Sequence, residues 1–304
     1  MRTSLRCALV LVLPLVLSLD ACGVEAGEPA GAAGSPEVAA PSSATPEPSA
    51  TPEPSATPEP SATPESPLDF LDLAAKAMAE EPAWTFSVKG EEGLTLQGQK
   101  NAATYRATVR RAMKPEVLRS EGVITSSKGT RKNEEMYVAD GTAHLREGDA
   151  PWKHAPVTDP EMRNKVEDPV AVVEEFRTYA KAAGGDVKAT DTGGGTVELR
   201  VASGKRKLSA VADRAWAKKA KREFDPTAEQ LRKAGVAVED AQLTLSGLDE
   251  VLVLDAKTYR IRSHRLDFGF LIPYGGADIT FEQHVGEENQ GVYAGRIEPP
   301  ADVR

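Results

Sequence analysis

Over the last two-thirds of the chain, apolar and polar positions alternate with a period of two. Trp84, Phe86 and Val88 alternate with Thr85, Ser87 and Lys89, Leu94 and Leu96 with Thr95 and Gln97, and Tyr105, Ala107 and Val109 with Arg106, Thr108 and Arg110. Such alternation predicts antiparallel strands with one packed and one wet face. Met136-Tyr137-Val138, Asp140-Gly141 and His144-Leu145 predict a hairpin through a tight Asp-Gly turn. Nearer the C-terminus, Leu243 and Leu245, Val251 to Leu254, Tyr259 and Ile261, Leu266, Phe268 and Phe270, and Ile279 and Phe281 predict a meander. Its turns fall at Asp255-Ala256-Lys257 and Gly275-Gly276.

Helical spacing interrupts this pattern. Ser66-Pro67 is a plausible cap for a helix carrying Leu68, Leu71, Ala75 and Met78 up to Pro82. A second helix is expected with Asp168 as cap, Pro169 at its first position, Val173, Phe176 and Ala180 buried, and Gly184-Gly185 as its stop. Short strands near Val187 and over Val197 to Val201 come next. A third helix is expected over Leu208 to Glu223, and a shorter one capped by Asp225-Pro226 and ending at Gly235. The architecture predicted is α+β: one large, curved antiparallel sheet over residues 67–304, with a few helices laid on its apolar face.

Composition changes sharply before residue 67. Arg2 and Arg6 precede an apolar stretch from Ala8 to Leu19, too short to span a bilayer but suited to a secretion signal. The stretch ends in Leu19-Asp20-Ala21-Cys22, which resembles the lipobox of bacterial lipoproteins, with Asp20 departing from the usual small residue. The resemblance implies a signal peptide over 1–21 and a lipid on Cys22. It also implies an extracytoplasmic location in which the membrane is reached through that lipid. The alternative is an ordinary signal peptide that carries a cysteine. Cys7 lies inside the signal, so the mature chain would hold a single cysteine and no internal disulfide.

Residues 22–66 have little apolar bulk and repeat Ser-Ala-Thr-Pro-Glu-Pro from Ser43. Two prolines in so short a period predict an extended, solvated tether with a reach on the order of 100 Å. It would serve either to cross a thick cell wall or as a plain spacer. The formal net charge of −9 is spread along the chain and argues against a nucleic-acid partner.

Chemical motifs are sparse. His144, His154, His264 and His284 form no metal pair at helical spacing, although His144 and His154 are expected to face each other near Trp152. Gly193-Gly194-Gly195 lacks the lysine of a phosphate loop and is read as a turn. Thr125-Ser126-Ser127-Lys128 echoes a Ser-x-x-Lys nucleophile only loosely. The acidic residues look scattered over wet faces and loops. No catalytic residue, metal ligand or cofactor is therefore expected, and an enzyme is the remotest reading. Lys205, Arg206 and Lys207, with Lys218, Lys219, Lys221 and Arg222, are read as a solvated helix face or as a patch for a membrane surface or anionic headgroup.

The order of elements makes one pattern: a tethered lipobox cysteine, an opening helix into Trp84-Thr85-Phe86-Ser87-Val88, the hairpin from Met136 to Gly141 leading to Trp152, and a late strand pair over Val253 to Ile261. It resembles the actinobacterial cell-envelope lipoproteins related to the LppX and LprG group of the LolA-like superfamily. That resemblance implies a half-barrel with helices on its concave side. It also implies acyl chains, of lipids or lipoproteins, held between sheet and helices. The candidate lining residues are Leu243, Leu245, Leu266, Phe268, Phe270, Ile279 and Phe281, each of which, taken singly, is more often ordinary core. The same superfamily implies a second possibility, a non-enzymatic module that senses or contacts an envelope protein partner and has no large cavity.

Overall fold

The computed structural model describes residues 64–163, 165–182 and 185–303. Cys22, the signal segment and nearly all of the tether lie outside the described residues. Helix α1 (Pro67–Glu80) leads into five long or medium strands, β1 (Ala83–Leu96), β2 (Gln99–Met113), β3 (Glu116–Ser126), β4 (Arg131–Ala139) and β5 (Thr142–Glu147), and a short β6 (Lys153–Pro156). The single turn α2 (Pro160–Arg163) and α3 (Val172–Lys181) follow, then β7 (Lys188–Asp191), β8 (Thr196–Ser203) and β9 (Arg206–Lys207). Helix α4 (Ala215–Lys233) precedes the closing meander of β10 (Thr244–Asp255), β11 (Ile261–Tyr274) and β12 (Ala277–Val292).

The strands form one open, curved antiparallel sheet in the order β6-β5-β4-β3-β2-β1-β12-β11-β10-β8-β7, with β9 beside β10. Two meanders, β1 to β6 and β10 to β12, are thus joined by the pairing of β1 with β12. The fold is α+β with one large curved antiparallel sheet, as the alternation predicts, and it is half-barrel-like. Asp140 and Gly141, with φ of 50° and 74°, both turn left-handed to make the expected hairpin. Gly275 and Gly276, at 58° and 82°, do the same between β11 and β12.

Several boundaries differ from expectation. Residues 83–96 form one strand where two short ones were expected, because Gly90 and Glu92 continue the buried face between Val88 and Leu94. Helix α1 is capped by Ser66 as predicted, its Oγ accepting from Asp69 N at 3.3 Å while Asp69 Oδ2 accepts from Ser66 N at 2.9 Å. Helix α3 begins at Val172 rather than at Pro169, although Asp168 Oδ1 accepts from Val170 N at 3.2 Å while its Oδ2 accepts from Arg111 Nε at 2.9 Å. The helix also stops at Lys181, before the glycine pair. Residues 208–210 are a 3-10 turn, and the two later helices are one, with Pro226 inside it. An interior proline costs a helix about 3 kcal/mol. Phe224, Thr227, Ala228 and Leu231 are buried on both sides of Pro226, and their packing against the sheet offsets that cost.

The helices cover the inner face of the sheet. Trp84 Nε1 donates to the Met78 carbonyl at 2.8 Å, which ties α1 to β1. Arg177 of α3 reaches Asp72 of α1 at 2.5 Å. Phe224 of α4 packs its ring 4.9 Å from that of Phe270 and 4.8 Å from that of Phe281. Among the described residues, no helix is long and apolar enough to cross a membrane.

Candidate functional site

The apolar residues proposed to line a cavity share the inner face. Leu243, Leu245, Phe270 and Phe281 are fully buried, and Leu266, Phe268 and Ile279 are no more than 4% exposed. Phe270 and Phe281 stand directly opposite each other on β11 and β12. Phe268 completes the cluster, with its ring 6.0 Å from Phe270 and 5.8 Å from Phe281. Phe224 descends from α4 into this group, so the space between sheet and helix is taken up by an aromatic ring.

A second group shares the same face but carries charge. Along β10, Leu248, Glu250, Leu252 and Leu254 point inward in turn. Along β11 the inward series is His264, Leu266, Phe268 and Phe270, and along β12 it is Ile279, Phe281, Gln283, Val285 and Glu287. The register sets His264 opposite Glu287 and Gln283 opposite Glu92. Helices α3 and α4 bring Glu175, Lys219 and Glu223 down onto this row, and the segment before α3 adds Glu167 and Asp168. Every one of these residues is buried.

Geometry defines most of the charges. His264 Nδ1 lies 2.9 Å from Glu287 Oε2, and Nε2 lies 3.0 Å from Glu250 Oε1. Both ring nitrogens therefore face carboxylate acceptors, which calls for the imidazolium. Burial works against that charge, but the two carboxylates outweigh it and hold His264 up at about 9. Burial likewise pushes Glu250 upward, and Lys219 and His264 overcome it, holding Glu250 at about 2. Lys219 Nζ donates to Glu250 Oε1 at 2.8 Å and also to Glu175 Oε2. These carboxylates keep it charged against the cost of burial.

Two carboxyls go the other way. Burial, helped by Glu175 and Glu250 and opposed by Lys219 and Arg222, pushes Glu223 up to about 8. Burial and the neighbouring Glu287 push Glu167 well above the carboxylate range. Glu92 joins the edge of the group, accepting from Thr227 Oγ1 at 2.5 Å. The space enclosed by Glu167, Glu175, Lys219, Glu223, His264 and Glu287 is about 10 Å³, room for about one water molecule. Among the described residues, no group of three His, Cys, Asp or Glu side chains is arranged to hold a metal ion.

The basic run around α4 does not form one solvated face. Lys219 points into the buried cluster, and Arg222 lies against Glu175 and Glu223 at 3.6 and 3.7 Å. Lys221 is paired with Asp225 and Asp240, and Lys205, Arg206, Lys207 and Lys218 remain exposed. His144 and His154 do face each other, with rings 5.8 Å apart, whereas His284 is exposed beside Asp267. Gly193 and Gly195 turn left-handed between β7 and β8, which makes the triple glycine a turn.

The buried cluster is the part of the molecule that sequence reasoning missed. Its signal is present: Glu250, His264, Gln283 and Glu287 each fall in phase with apolar neighbours at two-residue spacing. Read one at a time, each looks like a wet residue displaced by a turn.

An open, curved antiparallel sheet with helices on one face defines the class to which the folded region belongs. Among solved structures, the chain is matched to the ywiB protein of Bacillus subtilis, at 6% identity over 69% of this chain and 95% of that one, with a TM-score of 0.21. It is also matched to a β-barrel-like protein of the domain of unknown function DUF1849 from Brucella abortus, at 7% identity over 69% and 99%, with a TM-score of 0.23. A DUF1329 family protein from Desulfovibrio piger is 7% identical over 77% of this chain and 96% of its own, with a TM-score of 0.27. Likeness at this level carries no argument about fold or function. No family model and no curated protein matches the chain.

Proposed function

We propose that the chain is an extracytoplasmic lipoprotein, held on the membrane by lipid on Cys22, whose folded region is a non-enzymatic interaction or sensory module of the cell envelope. The observation that carries this reading is the filled interior. The Phe224 ring packs against both Phe270 and Phe281, and the candidate lining residues are all buried in the same core cluster. A carrier of acyl chains needs an apolar space of several hundred Å³. The space of about 490 Å³ beside Leu208 and Ala217 is bordered by Lys218, Lys221, Arg222, Asp225 and Asp240 and includes none of the candidate lining residues. In a filled fold of this kind, binding falls to the outer sheet face, the sheet edges at β6 and β7, or the helix surfaces. The lipobox-like Leu19-Asp20-Ala21-Cys22 and the proline-rich repeat support the anchor and the reach.

A second reading keeps the hydrophobic carrier. It is favoured by the apolar cluster of Phe268, Phe270 and Phe281, on which Phe224 of α4 packs, so that displacing α4 would open this cluster to an acyl chain. Two measurements on the full chain separate the readings. Cross-linking in intact cells that traps a specific envelope protein supports the module. Lipid retained through purification and seen by native mass spectrometry, together with transfer of labelled lipid between vesicles, supports the carrier and overturns the module.

A further inference from the structure

We propose that the space between β11, β12 and helices α3 and α4 is a binding site for two protons and one water molecule, with Glu167 and Glu223 held as carboxylic acids. The inference starts from a count of charge. Six carboxyl groups meet around this space: Glu167, Asp168, Glu175, Glu223, Glu250 and Glu287. Four cations face them: Arg111 on Asp168, Lys219 on Glu175 and Glu250, Arg222 beside Glu175 and Glu223, and His264 between Glu250 and Glu287. Six against four leaves an excess of two negative charges around this space, before the buried carboxyl of Glu92 at its edge is counted. Uncompensated charges there are far costlier than two bound protons.

Geometry places the protons. Glu167 and Glu287 line the same space, Glu167 Oε2 is buried without a partner, and two carboxyl groups this close in a buried setting favour a proton on one of them. Glu287 accepts from the His264 imidazolium, so it is the ionised partner and Glu167 is the acid. Glu250 accepts from both Lys219 and His264, and Glu175 accepts from Lys219, so both of these are ionised. Glu223 has the weakest set of donors. Gln283 Nε2 is 3.5 Å away and Arg222 Nη2 is 3.7 Å away. The second proton therefore belongs on Glu223.

Glu167 Oε2 and Glu223 Oε1 are both buried without a hydrogen-bond partner among the described residues, and both residues line the space of about 10 Å³. That volume suits one water, which can accept from an acid and donate to the other oxygens. Tyr179 from α3 and Glu92 from β1 are the remaining titratable groups nearby. Burial, with Glu250 the strongest charged neighbour, keeps the Tyr179 phenol neutral. Glu92 accepts from Thr227. The consequence is a folded state that holds two more protons than the unfolded chain near pH 6, so that stability falls as the surroundings become less acidic.

Infrared spectroscopy of the full chain at neutral pH tests this directly, through the carbonyl stretch of protonated carboxyl groups. The expected wild-type spectrum shows a buried, slowly exchanging band, and Glu167→Gln and Glu223→Gln each remove about half of it. Chemical unfolding supplies a second measure. The unfolding constant should rise about a hundredfold per pH unit near pH 6 in the wild type and about tenfold in either variant. Absence of the band at neutral pH, or variants that leave band and slope unchanged, would overturn the proposal. If a variant does not fold, the wild-type band and slope alone decide. A high-resolution crystal structure with no solvent density between Glu167 and Glu223 would overturn the water.

Discussion

Replacing Phe224 with alanine tests whether the interior of the sheet is closed. The ring is fully buried, within 5 Å of two others by centroid, and lies against β11 and β12 at the point where Phe270 and Phe281 face each other. Removing a buried phenylalanine costs about 3–5 kcal/mol, growing by about 24 cal/mol for each Å³ the surroundings fail to reclaim. Here one wall is a hydrogen-bonded sheet that cannot move inward without breaking its ladder, so the upper half of that range is expected. For a domain of this size 1 kcal/mol shifts the melting temperature by about 2–4 °C, which predicts a fall of about 8–20 °C. The assay is urea unfolding followed by circular dichroism, with benzene added to the wild type and to Phe224→Ala. Benzene should stabilise the variant alone, because only the variant has an apolar hole. A loss below about 1 kcal/mol, or equal stabilisation of both proteins by benzene, would refute a filled interior and favour the carrier.

Three further outcomes follow from the same contacts. Lys219→Met leaves Glu175 and Glu250 without their shared cation and should destabilise the fold by about 3–5 kcal/mol in urea unfolding. Melting temperature should fall on both sides of a mildly acidic optimum. His264 and Glu223 are raised in the folded state, to about 9 and about 8, so the stability they contribute is present below their unfolded values and lost as pH rises toward the folded ones. Glu250 is lowered to about 2, so its contribution is lost as pH falls toward that value. Each group gives a slope of about 1.4 kcal/mol per pH unit within its own window, and a flat profile in differential scanning calorimetry would contradict all three. Cys22→Ser should move the protein from the membrane pellet to the soluble fraction after cell lysis, and retention in the pellet would argue against the lipid anchor.

Local pattern was enough for the strands and for the class of fold. Alternation in β1, β2 and the last three strands, the Asp140-Gly141 turn and the Ser66 cap are decided by neighbours a few residues apart. Helix boundaries were less legible. Asp168 looks like the cap of α3, but its carboxylate is shared between Val170 N and Arg111, 57 positions away, and the helix starts only at Val172. Pro226 looks like a start until the burial of Phe224 and Thr227 carries the helix across it.

The sequence alone determined which positions face inward, because the pleat of a strand has a period of two whatever lies across from it. Glu250, His264, Gln283 and Glu287 obey that period as strictly as the phenylalanines beside them. Only the tertiary structure decided that they meet. Glu250 and Glu287 come from strands on either side of His264, and Lys219 arrives from a helix between. A charge is tolerated inside a protein only where its partners converge, and convergence depends on sheet order and helix docking, which involve the whole chain. The same holds for the interior. Alternation could mark Phe270 and Phe281 as buried, but the ring of Phe224 determines what fills the space between them.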